Sequence, residues 1–160
     1  MIDLVEAEQI ATGLLRGTIQ AEGFKDFAAC ATNVQDIAND AKTAVQDFKK
    51  GGASNIMSGL ESMADMLLWA RNAGVVCNPK TSADWAKIEA MAAELKNPKT
   101  FIYKIGKDLI LNGEEITDEL ELAVEDYEKN NWEQFGFDLG VAASKTLLGS
   151  TYPVTTLNLL

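Results

Sequence analysis

The chain has no histidine, only two cysteines and three prolines, and just 14 basic side chains against 24 acidic ones in 160 residues. Each scarcity excludes something. Without histidine there is no Ser-His-Asp or Cys-His catalytic system, no histidine-ligated metal and no imidazole base working near neutral pH. A formal charge of −10 has the wrong sign for nucleic acid or an anionic membrane surface, which both select a basic face. No stretch reaches the roughly 18 apolar residues of a membrane span, so no membrane insertion is expected. The opening Met1-Ile2-Asp3-Leu4 is amphipathic and does not read as a signal peptide. Against these absences stand 47% apolar and 24% charged residues, the balance of a globular chain, and a length that suits a single domain over 1–160.

Helical periodicity runs through almost the whole sequence and two-residue alternation is scarce, which predicts an all-α fold of about six helices. Leu4, Ala7, Ala11, Leu14, Leu15, Thr18 and Ile19 mark the first. The second runs from Phe24 to Phe48, with Lys49 and Lys50 on its negative end and Gly51-Gly52 stopping it. Ile56, Leu60, Met63, Leu67 and Trp69 mark the third, ended near Asn72-Ala-Gly74. Residues 75–80 read as a loop, and Ala83 to Leu95 as the fourth helix, closed by Asn97-Pro98. A long fifth helix is expected from Thr100 to Lys129 and a sixth from Asn131 to Leu148. Residues 150–160 form an apolar, extended-looking tail.

A shift of 79 positions lays Ala44-Val-Gln-Asp-Phe-Lys-Lys50 on Ala123-Val-Glu-Asp-Tyr-Glu-Lys129 without a gap. Asn33 then falls on Asn112, Ile37 on Ile116, Leu60 on Leu139 and Ala64 on Ala143. This is the register of a duplication, with repeat units at about 24–70 and 103–149. Two similar helical hairpins each expose an apolar face, and they are expected to pack together about a pseudo-twofold axis. The first and fourth helices would then cover this core.

Five features invite a functional reading. Cys30 lies in the second helix and Cys77 in the loop after the third, so a bridge is geometrically plausible. It would add roughly 4 kcal/mol by the chain-entropy argument and favour an oxidising compartment. Two unrelated buried thiols are the alternative. The pairs Gly13/Gly17 and Gly136/Gly140 fit close helix–helix approach, or the approach of an apolar ligand to bare backbone. Phe137 lies off the buried stripe Trp132, Phe135, Leu139 and Ala143, and is a candidate contact surface. In the uncharged tail, Tyr152, Val154, Leu157 and Leu159 would line its own domain or dock onto a neighbouring subunit. The acidic stripe Glu114, Asp118, Glu121 and Glu125 points away from the apolar side and matches no calcium loop. Neither a metal nor a cofactor is therefore expected.

Gly-Leu-Leu-Arg-Gly-Thr-Ile at 13–19, Phe24 to Cys30, Asp47-Phe-Lys-Lys-Gly51, Cys77 and Leu-Lys-Asn-Pro-Lys at 95–99 follow one another in order. Then come Gly-Lys-Asp-Leu-Ile-Leu-Asn-Gly-Glu-Glu-Ile at 106–116 and Phe-Gly-Phe-Asp-Leu-Gly at 135–140. This layout resembles small secreted helical proteins with a cysteine pair that are abundant in ciliates. The resemblance covers most of the chain and implies secretion and a Cys30–Cys77 disulfide, while carrying over no catalytic residue. The missing signal peptide departs from it. The expected function is non-catalytic: an extracytoplasmic structural or protein-interaction module, self-associating through its tail. A carrier of a small apolar ligand (lipid or pigment) between the hairpins is the alternative.

Overall fold

The computed structural model describes residues 2–20, 34–77, 82–104 and 108–150. Within them the chain forms six helices and one small sheet, a mostly α fold. The elements are α1 (Leu4–Ile19), α2 (Val34–Lys50), α3 (Ala53–Cys77), α4 (Ser82–Lys96), β1 (Phe101–Lys104), β2 (Asp108–Leu111), β3 (Glu114–Glu115), α5 (Thr117–Glu128) and α6 (Trp132–Ser150). No described helix is long and apolar enough to cross a membrane.

Local chemistry sets the ends. Asp3 caps α1 by accepting from the Glu6 amide at 2.8 Å, while the Glu6 carboxylate accepts from the Asp3 amide at 3.0 Å, a reciprocal capping box. Between α2 and α3 the chain reverses through Gly51 and Gly52, at φ 70° and 84°, where a side chain would be strained. Helix α3 continues through 75–77, so Cys77 ends a helix and does not lie in a loop. Gly74 is retained inside that helix because a Cβ there would meet the Trp85 ring of α4, 2.9 Å from Cζ3. Packing thereby outweighs the helix-breaking tendency of the Ala-Gly pair.

The expected single helix over 100–129 is corrected over its first half, which is a three-stranded antiparallel meander in the order β1-β2-β3. Phe101 pairs with Leu111 and Tyr103 with Leu109; Ile110 pairs with Glu115. The cause is Asn112-Gly113, which joins β2 to β3 with both φ angles positive, 52° and 81°. Such a two-residue turn matches strand twist and cannot be accommodated in a helix. Asn112 is also 1% exposed and fully used. Its Oδ1 accepts from the Lys99 amide at 2.7 Å and the Thr100 amide at 3.1 Å. Its Nδ2 donates to Glu94 Oε2 on α4 at 3.0 Å and to the Thr146 carbonyl on α6 at 3.3 Å. One side chain thus ties the sheet to two helices.

The arrangement of the core also differs from two hairpins packed on each other under two covering helices. Helix α1 is central: Ala7, Ile10, Ala11, Leu14 and Leu15 are fully buried, and α1 touches α2, α3, α4 and α6. Its two glycines admit another backbone on one side while large apolar residues face the others, so it fills the space between the hairpins. The α2–α3 and α5–α6 hairpins turn at positions 79 apart. Gly51 and Asn130 both have positive φ, and Ile56 and Phe135 donate to the carbonyls of Gly52 and Asn131 at 3.0 and 2.9 Å. Residues 103–104 and 108–115 of the second repeat unit are strand and turn; most of their counterparts, 24–33, lie outside the described residues.

Replacing Asn112 by alanine is expected to cost about 3–5 kcal/mol, from the orphaned Lys99 and Thr100 amides plus a strained left-handed backbone. Asn112→Gly should cost about 1 kcal/mol less, because only the hydrogen bonds are lost. Urea titration of the two variants checks the order.

Candidate functional site

Helices α1 and α6 meet backbone to backbone. A Cβ on Gly13 would run into the Glu133 carbonyl and stand 2.7 Å from the Phe137 amide; on Gly17 it would be 2.6 Å from the Phe137 carbonyl oxygen. From the other side, a Cβ on Gly136 would strike the Ile10 carbonyl, and one on Gly140 would be 2.8 Å from the Leu14 carbonyl oxygen. The four glycines interlock, and no ligand fits between them. Ser144 Oγ donates to the Gly17 carbonyl at 2.9 Å across the same contact. Phe137 rides beside this seam, half-buried, with the Arg16 guanidinium 5.0 Å from its ring centre. Arg16 also pairs with Glu133. Phe135 is fully buried and meets Tyr127 edge-on at 5.2 Å, as does Trp132.

Gly136→Ala is expected to destabilise the protein by about 3 kcal/mol or more, because the obstructing atoms are backbone and cannot rotate away. The same change at an unobstructed mid-helix position stabilises by about 1 kcal/mol. Chemical denaturation reads the sign directly.

The most perturbed ionisable groups lie across the helix hairpins. Asp138, 5% exposed on α6, has its carboxyl pushed up to about 7 by burial first and then by hydrogen bonding to Asp126 on α5; Gln134 opposes this. Gln134 Nε2 donates to Asp138 Oδ1 at 3.0 Å, and Glu119 adds further negative charge. Asp138 Oδ2 has no donor, so a proton shared with Asp126 is the natural occupant of the gap. In the other hairpin, burial, then Asp65 and Asp36, raise Asp40 to about 6, against a hydrogen bond from Trp69 and the charge of Lys96. These pairings were not legible in the sequence, since both depend on which helix faces meet.

The acidic stripe behaves as surface: Asp118, Glu121 and Glu125 are exposed, and Glu119, off the stripe, pairs with Lys145. No cluster of three or more metal-type ligands occurs among the described residues. A pocket of about 270 Å³ opens between the hairpins and the sheet, lined by Phe48, Ile56, Tyr103, Leu109, Leu120 and Val124 among others. It lies apart from the glycine pairs. Cys77 is buried at the end of α3. Cys30, Tyr152, Val154, Leu157 and Leu159 lie outside the described residues.

Both perturbed carboxyls hold protons more tightly than an unfolded aspartate, which titrates near 4. Stability therefore falls as pH rises through about 6 and 7, and the contribution is complete only below about 4. Thermal melts between pH 8 and pH 5 should show a rising midpoint as pH is lowered. Asp138→Asn should raise the midpoint at pH 8 and flatten that slope.

No curated protein and no solved structure matches this chain. A family model described as secreted protein B-like (SctB-like) matches residues 3–147, which takes in α1, both hairpins, the sheet and the glycine seam. By that match the chain belongs to the SctB-like, secreted protein B-like, family.

Proposed function

We propose that this chain is a secreted, non-catalytic structural or protein-interaction module that self-associates through residues 150–160. The observation that carries the reading is at the end of α6. Gly149 stands against the Asn112 carbonyl, and from that fixed point follow ten residues, Thr151 to Leu160, without one charged side chain. A segment so apolar is better buried against protein than solvated. Membership of a family described as secreted supports the compartment, and the absence of histidine supports a non-catalytic role. The same reading includes a Cys30–Cys77 disulfide, supported by the absence of a free thiol among the described residues. It also takes the two hairpins as copies of one unit, supported by their shared turn register.

The second reading, a carrier of a small apolar ligand, is favoured by the pocket between Phe48 and Val124. Its apolar floor and few polar groups fit a small, largely hydrophobic molecule.

Native mass spectrometry of the purified chain separates the two. Self-association gives multiples of the chain mass, which deletion of 151–160 removes; carriage gives a monomer with an apolar adduct, which Val124→Trp removes. A bare monomer at every concentration sinks both. Alkylation before and after reduction, in the same samples, reads the disulfide.

A further inference from the structure

Among the described residues strand β1 is an edge of the sheet. The Asn112 amide donates to the Thr100 carbonyl at 2.9 Å, and the β1–β2 register places Ile102 opposite Ile110 and Lys104 opposite Asp108. In an antiparallel ladder the hydrogen-bonded pairs alternate. Thr100, Ile102 and Lys104 therefore direct their backbone groups to the β2 side, while Phe101 and Tyr103 direct theirs outward. None of these outward groups has a partner among the described residues. Beside them Ile102, a large apolar residue, is 48% exposed. Edges of this kind accept an added strand.

A segment of strand-like composition, residues 151–160, lies outside the described residues and follows Ser150, next to that edge. Gly149 abuts Asn112, and Asn112 is bonded to Thr100 through backbone and side chain, so the end of α6 stands beside the start of β1. The tail is rich in β-branched and apolar residues. From Val154 onward it could extend to roughly 23 Å, enough to cover the roughly 13 Å of a four-residue strand. In the sequence only Thr151 and Tyr152 separate Ser150 from Pro153, and a proline restricts its own φ and disfavours helical backbone in the residue before it. So short a link ahead of a proline favours exchange with a second copy over folding back on its own sheet. Because donor root and acceptor edge are neighbours, two copies satisfy each other at once, and the contact closes about a twofold axis instead of propagating.

We infer that residues 153–160 of one copy add as a fourth strand to the outer edge of β1 of a second copy, reciprocally, forming a closed dimer. This rests on the self-association reading and assigns its acceptor. The test is size-exclusion chromatography with light scattering on the full chain, on a chain lacking 151–160, and on Phe101→Pro and Phe101→Ala. Proline at 101 removes an outward donor without taking a bond from β2; alanine removes the ring but keeps the donor. The full chain and Phe101→Ala should be dimers, and the truncation and Phe101→Pro monomers with unchanged helical circular dichroism. Mixing the last two, one with an intact donor and one with an intact acceptor, should restore a dimer.

A Phe101→Pro dimer, or masses that grow with concentration past two copies, would overturn the edge assignment. A full-length monomer whose Phe101 and Tyr103 amides resist hydrogen exchange would mean that the tail docks within its own chain. If truncation abolishes association while Phe101→Pro does not, the tail still mediates association and only its acceptor is wrong. If truncation changes nothing, both readings fall.

Discussion

The close contact of α1 with α6 is the constraint on which the other elements depend. Two helices normally meet through side chains at 8–10 Å between axes. Here Gly13, Gly17, Gly136 and Gly140 leave each backbone exposed to the other, and the glycines' entropic cost in a helix interior, about 1 kcal/mol each, is offset by continuous van der Waals contact. The consequence is architectural. Once α6 is held against one side of α1, the other sides of α1 are free for α2, α3 and α4, and the central helix becomes the body around which both hairpins are arranged. Arg16 and Ser144 add to the same seam, the first by stacking on Phe137 and pairing with Glu133, the second by donating to Gly17.

Asn112 is the complementary fixed point at the far end of α6. The glycine seam aligns α6 along α1, and Asn112 anchors the last described turns of that helix, through Thr146 and the packing of Gly149. The same residue holds the sheet to α4 through Glu94. A left-handed residue that is also fully buried and fully hydrogen-bonded leaves little freedom for substitution. The meander between the two halves of the molecule is thereby a structural joint, and the segment leaving α6 begins from a defined place.

Much of this was legible. The apolar stripe of α1, the stop at Gly51-Gly52 and the turn near Asn130 follow from spacing and turn chemistry, and the glycine pairs stood out because glycine is expensive inside a helix. The sheet did not stand out. Leu109, Ile110 and Leu111 are consecutive apolar residues that suit a buried helix as well as a strand, and the helical periodicity of the residues after Ile116 was extended back over them. Asn112-Gly113 was the available signal, a pair whose positive φ angles favour a hairpin. Reading α1 as a cover failed for another reason: amphipathicity tells how much of a helix is buried but not how many neighbours bury it. Asp138 and Asp126 are separated by twelve positions on different helices, and no periodicity reports that their carboxyls meet.

The acidic composition gains a different meaning once the carboxyls are placed. The formal charge of −10 counts every aspartate as ionised, yet Asp138 and Asp40 bind protons near 7 and 6. Each lies where two helices of a hairpin meet, so ionisation adds repulsion inside both hairpins. It also adds charge to a molecule that is already strongly negative, and like-charged copies repel. Mild acidity therefore acts in one direction at two levels. It tightens each hairpin by neutralising a carboxyl that faces others, Asp138 beside Asp126 and Asp40 beside Asp65 and Asp36, and it would lower the electrostatic barrier to the proposed association of two copies. Salt separates these levels: exposed charges between copies are screened within about 10 Å at 0.1 M ionic strength, whereas the carboxyl of Asp138, 5% exposed, is screened far less. The coupling of pH to hairpin stability thus survives salt that would erase a coupling of pH to the proposed association.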